Sequence, residues 1–190
     1  ARRGHGGAAW FQRSAVTDDI ADLRASGVDL VVVQIGVGSL AASVVRHFKH
    51  TKRHEKPKIL GVEAAGAACA FESVRAGEAR TVPGPHLSAM AGLNCGTLSS
   101  VAWPLIREGI DAFAVVRDDM AFEAMRMLAD GGIESGESGA AGLGALLGIE
   151  REGRKILEEM LGLGPEASIL VISTEGATDP DGYKRIIGRT

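Results

Sequence analysis

The apolar positions of this chain fall into short runs separated by stretches of helical period. Asp29 to Ile35 (DLVVVQI) is an almost uninterrupted, β-branched run, the pattern of a strand buried on both faces. Lys58 to Glu63 (KILGVE), Ala112 to Val116 (AFAVV) and Ser168 to Ser173 (SILVIS) repeat it. Helices are expected before, between and after them. Thr17 to Ala25 has Thr17 as a cap, Asp18 and Asp19 in the first turn and Gly27 as a stop. Leu40 to Arg53, Ala64 to Ala76 and Leu98 to Glu108 also read as helical. Asp118 opens the clearest helix, with Met120, Ala124, Met127 and Leu128 spaced along one face. Gly136 to Leu147 is Gly/Ala-rich, and Arg151 to Leu161 is amphipathic. Asp179 caps a last short helix with Pro180 at its first position. Gly77 to Gly96, with Pro83, Gly84, Pro85 and Gly92, reads as a long ordered loop. Four strands alternating with helices predict an α/β fold: a layered, mostly parallel sheet flanked by helices.

Composition narrows the class. The 190 residues include 28 Ala and 26 Gly, against a usual Gly share of about 7%. With 45% hydrophobic residues and a net charge of −3, the excess points to tight turns and close backbone contacts rather than disorder. No apolar run reaches the roughly 18 residues of a membrane span, so no membrane partner is expected. Cys69 and Cys95 are too few for a secreted disulfide scaffold, although a bridge between them is conceivable. A cytoplasmic protein is the default expectation. Arg46 to Lys58 carries nine Lys, Arg or His residues in thirteen positions, but no aromatics interleave for base stacking. A solvated helix end explains this run better than nucleic acid does. The five histidines lack metal-ligand spacing, and no metal is assigned.

Three segments carry candidate chemistry. Gly36-Val37-Gly38-Ser39-Leu40-Ala41 follows a buried strand and opens a helix, which suits a phosphate cradled by backbone N–H groups. The same residues fit G-x-G-x-x-A, the dinucleotide fingerprint, with Glu63 at the end of the next strand as a ribose-binding acid. Ser135-Gly136-Glu137-Ser138-Gly139-Ala140 places a carboxylate among glycines at a helix start. Ser173-Thr174-Glu175-Gly176 follows the last strand, where a hydroxyl can face the same crevice as the glycine turn. Each of the three also has a purely structural reading as a turn or helix start.

The order GVGSL, KILGVE, GESGA, STEG resembles the C-terminal half of the fold-type II pyridoxal-phosphate enzymes, the group that includes tryptophan synthase β, threonine synthase and serine/threonine dehydratases. Within it, Met90 to Gly96 (MAGLNCG), Asp118 to Ala129 and STEGATDPDGY are similar to diaminopropionate ammonia-lyase. The similarity runs from about Val28 to Ile187. It divides the chain into an unplaced N-terminal segment, residues 1–16, and the C-terminal cofactor-binding portion of a lyase, residues 17–190. The resemblance implies pyridoxal 5′-phosphate as cofactor, its phosphate held by backbone amides of Gly36, Val37, Gly38, Ser39 and Leu40. It implies Glu137 beside the pyridine ring and Ser173, or failing it Thr174, at the ring nitrogen. A neutral hydroxyl there leaves that nitrogen unprotonated, which suits a β-elimination.

The implied activity is that of an ammonia-lyase taking 2,3-diaminopropionate to pyruvate and ammonia, with a small amino acid as substrate and a homodimer as the intact form. In this family the Schiff-base lysine comes from the N-terminal half. Lys49, Lys52, Lys56, Lys58, Lys155 and Lys184 stand in no such motif, so the chain is expected to be partial, to contain no catalytic residue and to be inactive alone. Three alternatives stay open: another fold-type II lyase of the dehydratase kind, an NAD-binding Rossmann protein, and a non-catalytic α/β fragment.

Overall fold

A computed structural model describes residues 2–3, 9–10, 27–49, 56–153 and 155–188. The expected helix from Thr17 to Ala25 lies outside the described residues, as does the segment from 50 to 55. Arg2–Arg3 and Ala9–Trp10 form a short antiparallel pair. The rest is built on four strands, β1 (Leu30–Gln34), β2 (Lys58–Ala64), β3 (Ala112–Val116) and β4 (Ile169–Val171). They lie side by side in the order β3-β2-β1-β4, all parallel. Val32 is opposite Leu60 on one side and Val171 on the other. Every residue of β1 is buried, as its β-branched run requires for a central strand covered on both faces.

Seven helices cover the sheet among the described residues: α1 (Ser39–Lys49), α2 (Cys69–Ala76), α3 (Trp103–Gly109), α4 (Asp118–Asp130), α5 (Glu137–Glu152), α6 (Lys155–Leu161) and α7 (Pro180–Ile187). Side chains alternate across the strands with period two. Val31, Val33, Ile35 and Ile59 pack with Ala41 and Val45 of α1, Ala70 of α2 and Ile106 of α3. Leu30, Val32, Leu60 and Val62 pack on the opposite face with Met90, Ala141 and Ala145 of α5, and Leu161. Burying one such Val, Leu or Ile contributes about 1.5–3 kcal/mol. A third cluster joins α4, α5 and α7 through Met125, Leu128 and Leu143 with Tyr183 and Ile186 against them. Small residues make that packing close: a Cβ on Gly144 would come within 3.1 Å of the Met120 backbone.

Several boundaries depart from the sequence pattern. β2 runs one residue further, to Ala64, and the turn at Gly66 (φ +84°) delays the helix to Cys69. Residues 100–102 form a turn, and α3 begins at Trp103 with Pro104 in its first turn. The expected helix from Arg151 is two helices: α5 continues to Glu152, and Gly153 at φ +110° breaks the chain before α6. On α4 the buried face is Ala121, Ala124, Met125 and Leu128, whereas Met127 is 51% exposed. Asp179 does cap α7, accepting from Gly182 N at 3.0 Å. Lys49 at the end of α1 and Lys58 at the start of β2 pair with Asp111 at the amino ends of the strands, at 2.6 and 3.3 Å. Partial burial opposes ionisation of Asp111, but the bonds from Lys49, Ile59 N and Lys58 outweigh it and hold its carboxyl below the usual range. No helix among the described residues is long and apolar enough to cross a membrane. The same residues contain no group of three His, Cys, Asp or Glu placed to hold a metal ion.

Candidate functional site

The glycine turn leaves the carboxyl end of the central strand. Among the described residues no group accepts from the N–H groups of Gly38, Ser39, Leu40 and Ala41, the donors that the start of α1 leaves open. They stand at the positive end of the helix. Gly38 adopts φ +95°, and a Cβ there would lie 2.5 Å from Ile106 Cδ1. A Cβ on Gly36 would lie 2.5 Å from the Gly92 carbonyl oxygen. The carbonyl of Val37 accepts from Ser99 N at 2.9 Å, which fixes the turn from behind. Val37, Ser39 and Leu40 are exposed, so the open amides stand at an accessible surface.

The long loop folds onto this turn. Asn94 pairs with the Ser88 backbone (Nδ2 to O at 2.7 Å, Oδ1 from N at 3.2 Å), and Asp118 accepts from Ser88 Oγ at 2.5 Å and Ala89 N at 2.9 Å. Gly92, in the short 3-10 turn Ala91–Leu93, thereby sits between two candidate segments. Its carbonyl crowds Gly36, and its N–H donates to Ser138 Oγ at 3.1 Å.

The start of α5 and the end of β4 meet directly. Gly136 N donates to the Glu175 carbonyl at 3.1 Å, and Ser138 N donates to Glu175 Oε1 at 2.8 Å. Ser173 Oγ and Ser135 Oγ are 2.9 Å apart. A Cβ on Gly139 would stand 2.7 Å from Ser135 Oγ and 3.2 Å from Ser173 Oγ, so only glycine admits the hydroxyl pair. β1 joins the same junction: Gln34 Nε2 donates to Gly139 O at 2.8 Å and to Ile172 O at 2.7 Å. One buried side chain two residues before Gly36 thus ties all three segments together at the carboxyl ends of β1 and β4.

The expected residues are not equally engaged. Ser173 is half-buried within the hydroxyl pair. Thr174 and Glu137, the latter at the first position of α5, are half-buried, and the side chain of neither makes a hydrogen bond among the described residues. The carboxylate that satisfies the α5 N-terminus is Glu175. Sequence reasoning passed over Glu175, Ser135 and Gln34. For Glu175 and Ser135 the signal was present, since each belongs to a segment already singled out.

Glu63 is not available to a ribose. It is fully buried, and its two carboxylate oxygens accept from Ala70 N at 2.7 Å and Phe71 N at 2.8 Å, capping α2. Burial pushes its pKa up to about 7 against these two bonds. Cys69 is buried beside it, and burial, with Glu63 next, pushes its thiol up to about 12. Cys69 and Cys95 are both free. Lys49 and Lys58, held by Asp111, lie at the other end of strands that are ~20 Å long, away from the glycine turn.

These features fit a flat, phosphorylated ligand: open amides at a helix start, a hydroxyl pair where the segment before α5 meets the end of β4, and glycines whose Cβ atoms would crowd their neighbours. Comparison with known proteins gives the group a name. The family described as pyridoxal-phosphate dependent enzyme matches residues 9–175. Diaminopropionate ammonia-lyase of Salmonella typhimurium is 36% identical, with 83% of this chain and 41% of that protein covered. The Escherichia coli K12 enzyme of the same name is 33% identical over 94% of this chain and 48% of its own length. The crystal structure of the Escherichia coli enzyme in complex with an aminoacrylate-PLP azomethine reaction intermediate matches with a TM-score of 0.79 at 31% identity, covering 90% of this chain and 45% of that one. Maize serine racemase matches with a TM-score of 0.72 at 26% identity, over 88% of this chain and 50% of its own. This chain therefore spans about half the length of the relatives it matches. By the family match, and by the sheet and turn geometry that accompany it, the chain belongs to the pyridoxal-phosphate dependent enzymes.

Proposed function

We propose that this chain is the cofactor-binding portion of an ammonia-lyase that eliminates the β-amino group of 2,3-diaminopropionate, with pyruvate and ammonia as products. The observation that carries the reading is the junction at Gln34, which ties the strand leading into the glycine turn to Gly139 at the α5 start and to Ile172 at the β4 end. The open amides of the Gly36–Leu40 turn hold the cofactor phosphate, where the helix dipole favours its charge. Ser173 offers a neutral hydroxyl to the ring nitrogen, and Glu137 lines the ring from the α5 start. When bound, the cofactor supplies the carbonyl that captures the substrate amine and the ring system that takes up electrons as the α-proton leaves. This chain orients that ring and keeps its nitrogen free of a charged partner. The proton-transferring lysine of such an enzyme would come from outside this chain. The intact protein is read as a cytoplasmic homodimer.

The test uses the full-length protein that carries this chain. Incubated with pyridoxal phosphate, it gains an absorbance band near the violet edge of the visible and releases pyruvate from 2,3-diaminopropionate. Absence of cofactor uptake would sink the reading. Uptake with pyruvate released from serine but not from diaminopropionate would move the assignment to a dehydratase.

A further inference from the structure

We propose that Ser135 is the positioning residue for Ser173: its hydroxyl donates to Ser173 Oγ and so turns the Ser173 proton outward, toward a neutral aromatic nitrogen. The inference rests on the reading above that Ser173 meets the cofactor ring.

Ser135 is fully buried, so its proton must find an acceptor inside the protein. Two lie within reach: Ser173 Oγ at 2.9 Å and the Gly136 carbonyl at 3.4 Å, the latter long for an O–H donor. Were Ser173 the donor, the Ser135 proton would be left with that long bond alone. The reverse direction gives the buried Ser135 proton its short bond and leaves the half-buried Ser173 with a proton to give. The pair is held from three sides. Gly139 leaves the space it occupies, and Gln34 fixes the carbonyls of Gly139 and Ile172, the residue before Ser173. Glu175, the carboxylate of the same junction, is engaged by Ser138 N at the α5 start. The pair therefore presents a directed, uncharged donor. A lone serine would rotate freely and present donor and acceptor alike.

A double-substitution cycle in the full-length protein tests this, read by pyridoxal-phosphate affinity and by the ring-nitrogen chemical shift of cofactor labelled there with nitrogen-15. Ser173→Ala weakens binding about tenfold and Ser135→Ala about fivefold, the range for one lost hydrogen bond each. The double variant binds within about twofold of Ser173→Ala, because Ser135 acts only through Ser173. Ser135→Cys, which keeps a weak donor, falls between wild type and Ser135→Ala. Ser135→Ala moves the nitrogen signal, and Ser73→Ala, which removes a buried hydroxyl on α2 away from the crevice, moves neither readout. Multiplicative losses in the double variant, or an unshifted nitrogen signal in Ser135→Ala, overturn the proposal while leaving the functional reading intact. Failure of the wild-type protein to take up cofactor overturns both.

Discussion

Gln34 donates its side-chain amide to the carbonyl of Gly139 across 2.8 Å, a bond between residues 105 positions apart. A second bond from the same nitrogen reaches Ile172 O, and the partner oxygen, Gln34 Oε1, is buried without a hydrogen bond among the described residues. The arrangement spends both amide protons on holding other segments in place. Gln34→Met keeps the volume and removes both donations, leaving two carbonyls short of a partner. The stability cost is about 1–3 kcal/mol, reduced by the loss of the unpaired oxygen. Cofactor affinity falls at least tenfold, because the spacing between the phosphate turn and Ser173 is no longer fixed. Parallel thermal melts and fluorescence titrations check this. A variant that melts early but binds normally would show that Gln34 serves folding alone.

The glycine turn has little tolerance for a methyl group. Gly36→Ala sets a Cβ 2.5 Å from a backbone carbonyl that cannot swing aside, so the Met90–Gly96 loop must retreat. The expected result is a loss of cofactor binding by more than tenfold with about 1–3 kcal/mol of destabilisation. A titration of the purified variant decides it.

Glu63 makes stability depend on pH in a defined direction. Its carboxyl is raised from 4.5 to about 7 by burial, so between these values the folded state binds more protons than the unfolded state. Stability from this group is complete below pH about 4.5 and is lost as the pH rises through about 7. Glu63→Gln abolishes that slope. Melting temperatures recorded from pH 5 to pH 8 for both proteins test the sign; an identical fall in the variant would assign the slope elsewhere.

The two cysteines differ in reactivity. Cys69 is buried and its thiol is pushed up to about 12, so almost no thiolate exists near neutral pH. Cys95 is only half-buried. Brief treatment with iodoacetamide at pH 8 therefore labels Cys95 and spares Cys69 until denaturant is added, as peptide mass mapping would show. Equal labelling in the native protein would contradict the burial of Cys69.

The local order of the chain was open to reading from the sequence because its causes are local. β-branched runs that recur between helical stretches give parallel strands, Asp179-Pro180 starts a helix, and paired glycines after a strand make a turn with open amides. Where these local signals compete, the expected boundaries slipped. Gly66 delays α2 and Gly153 separates α5 from α6 where the apolar pattern alone would carry a helix through, and Met125 rather than Met127 faces the core once α5 is in place.

The site itself needed the tertiary structure. Its members are joined by bonds spanning 37 positions between Glu175 and Ser138, 38 between Ser135 and Ser173, and 138 between Gln34 and Ile172. Periodicity and capping rules act over a turn or two of helix and cannot specify such pairings. The sequence alone placed the glycine turn and Ser173 at strand ends. Only the packing of the helices on the sheet decided that Glu175 caps α5, that Glu63 is sealed under α2, and that Ser135 and Gln34 bond across the junction of α5 and β4. A buried donor or acceptor must find a partner wherever the fold brings one within about 3 Å, and that distance is set by the packing of the whole sheet.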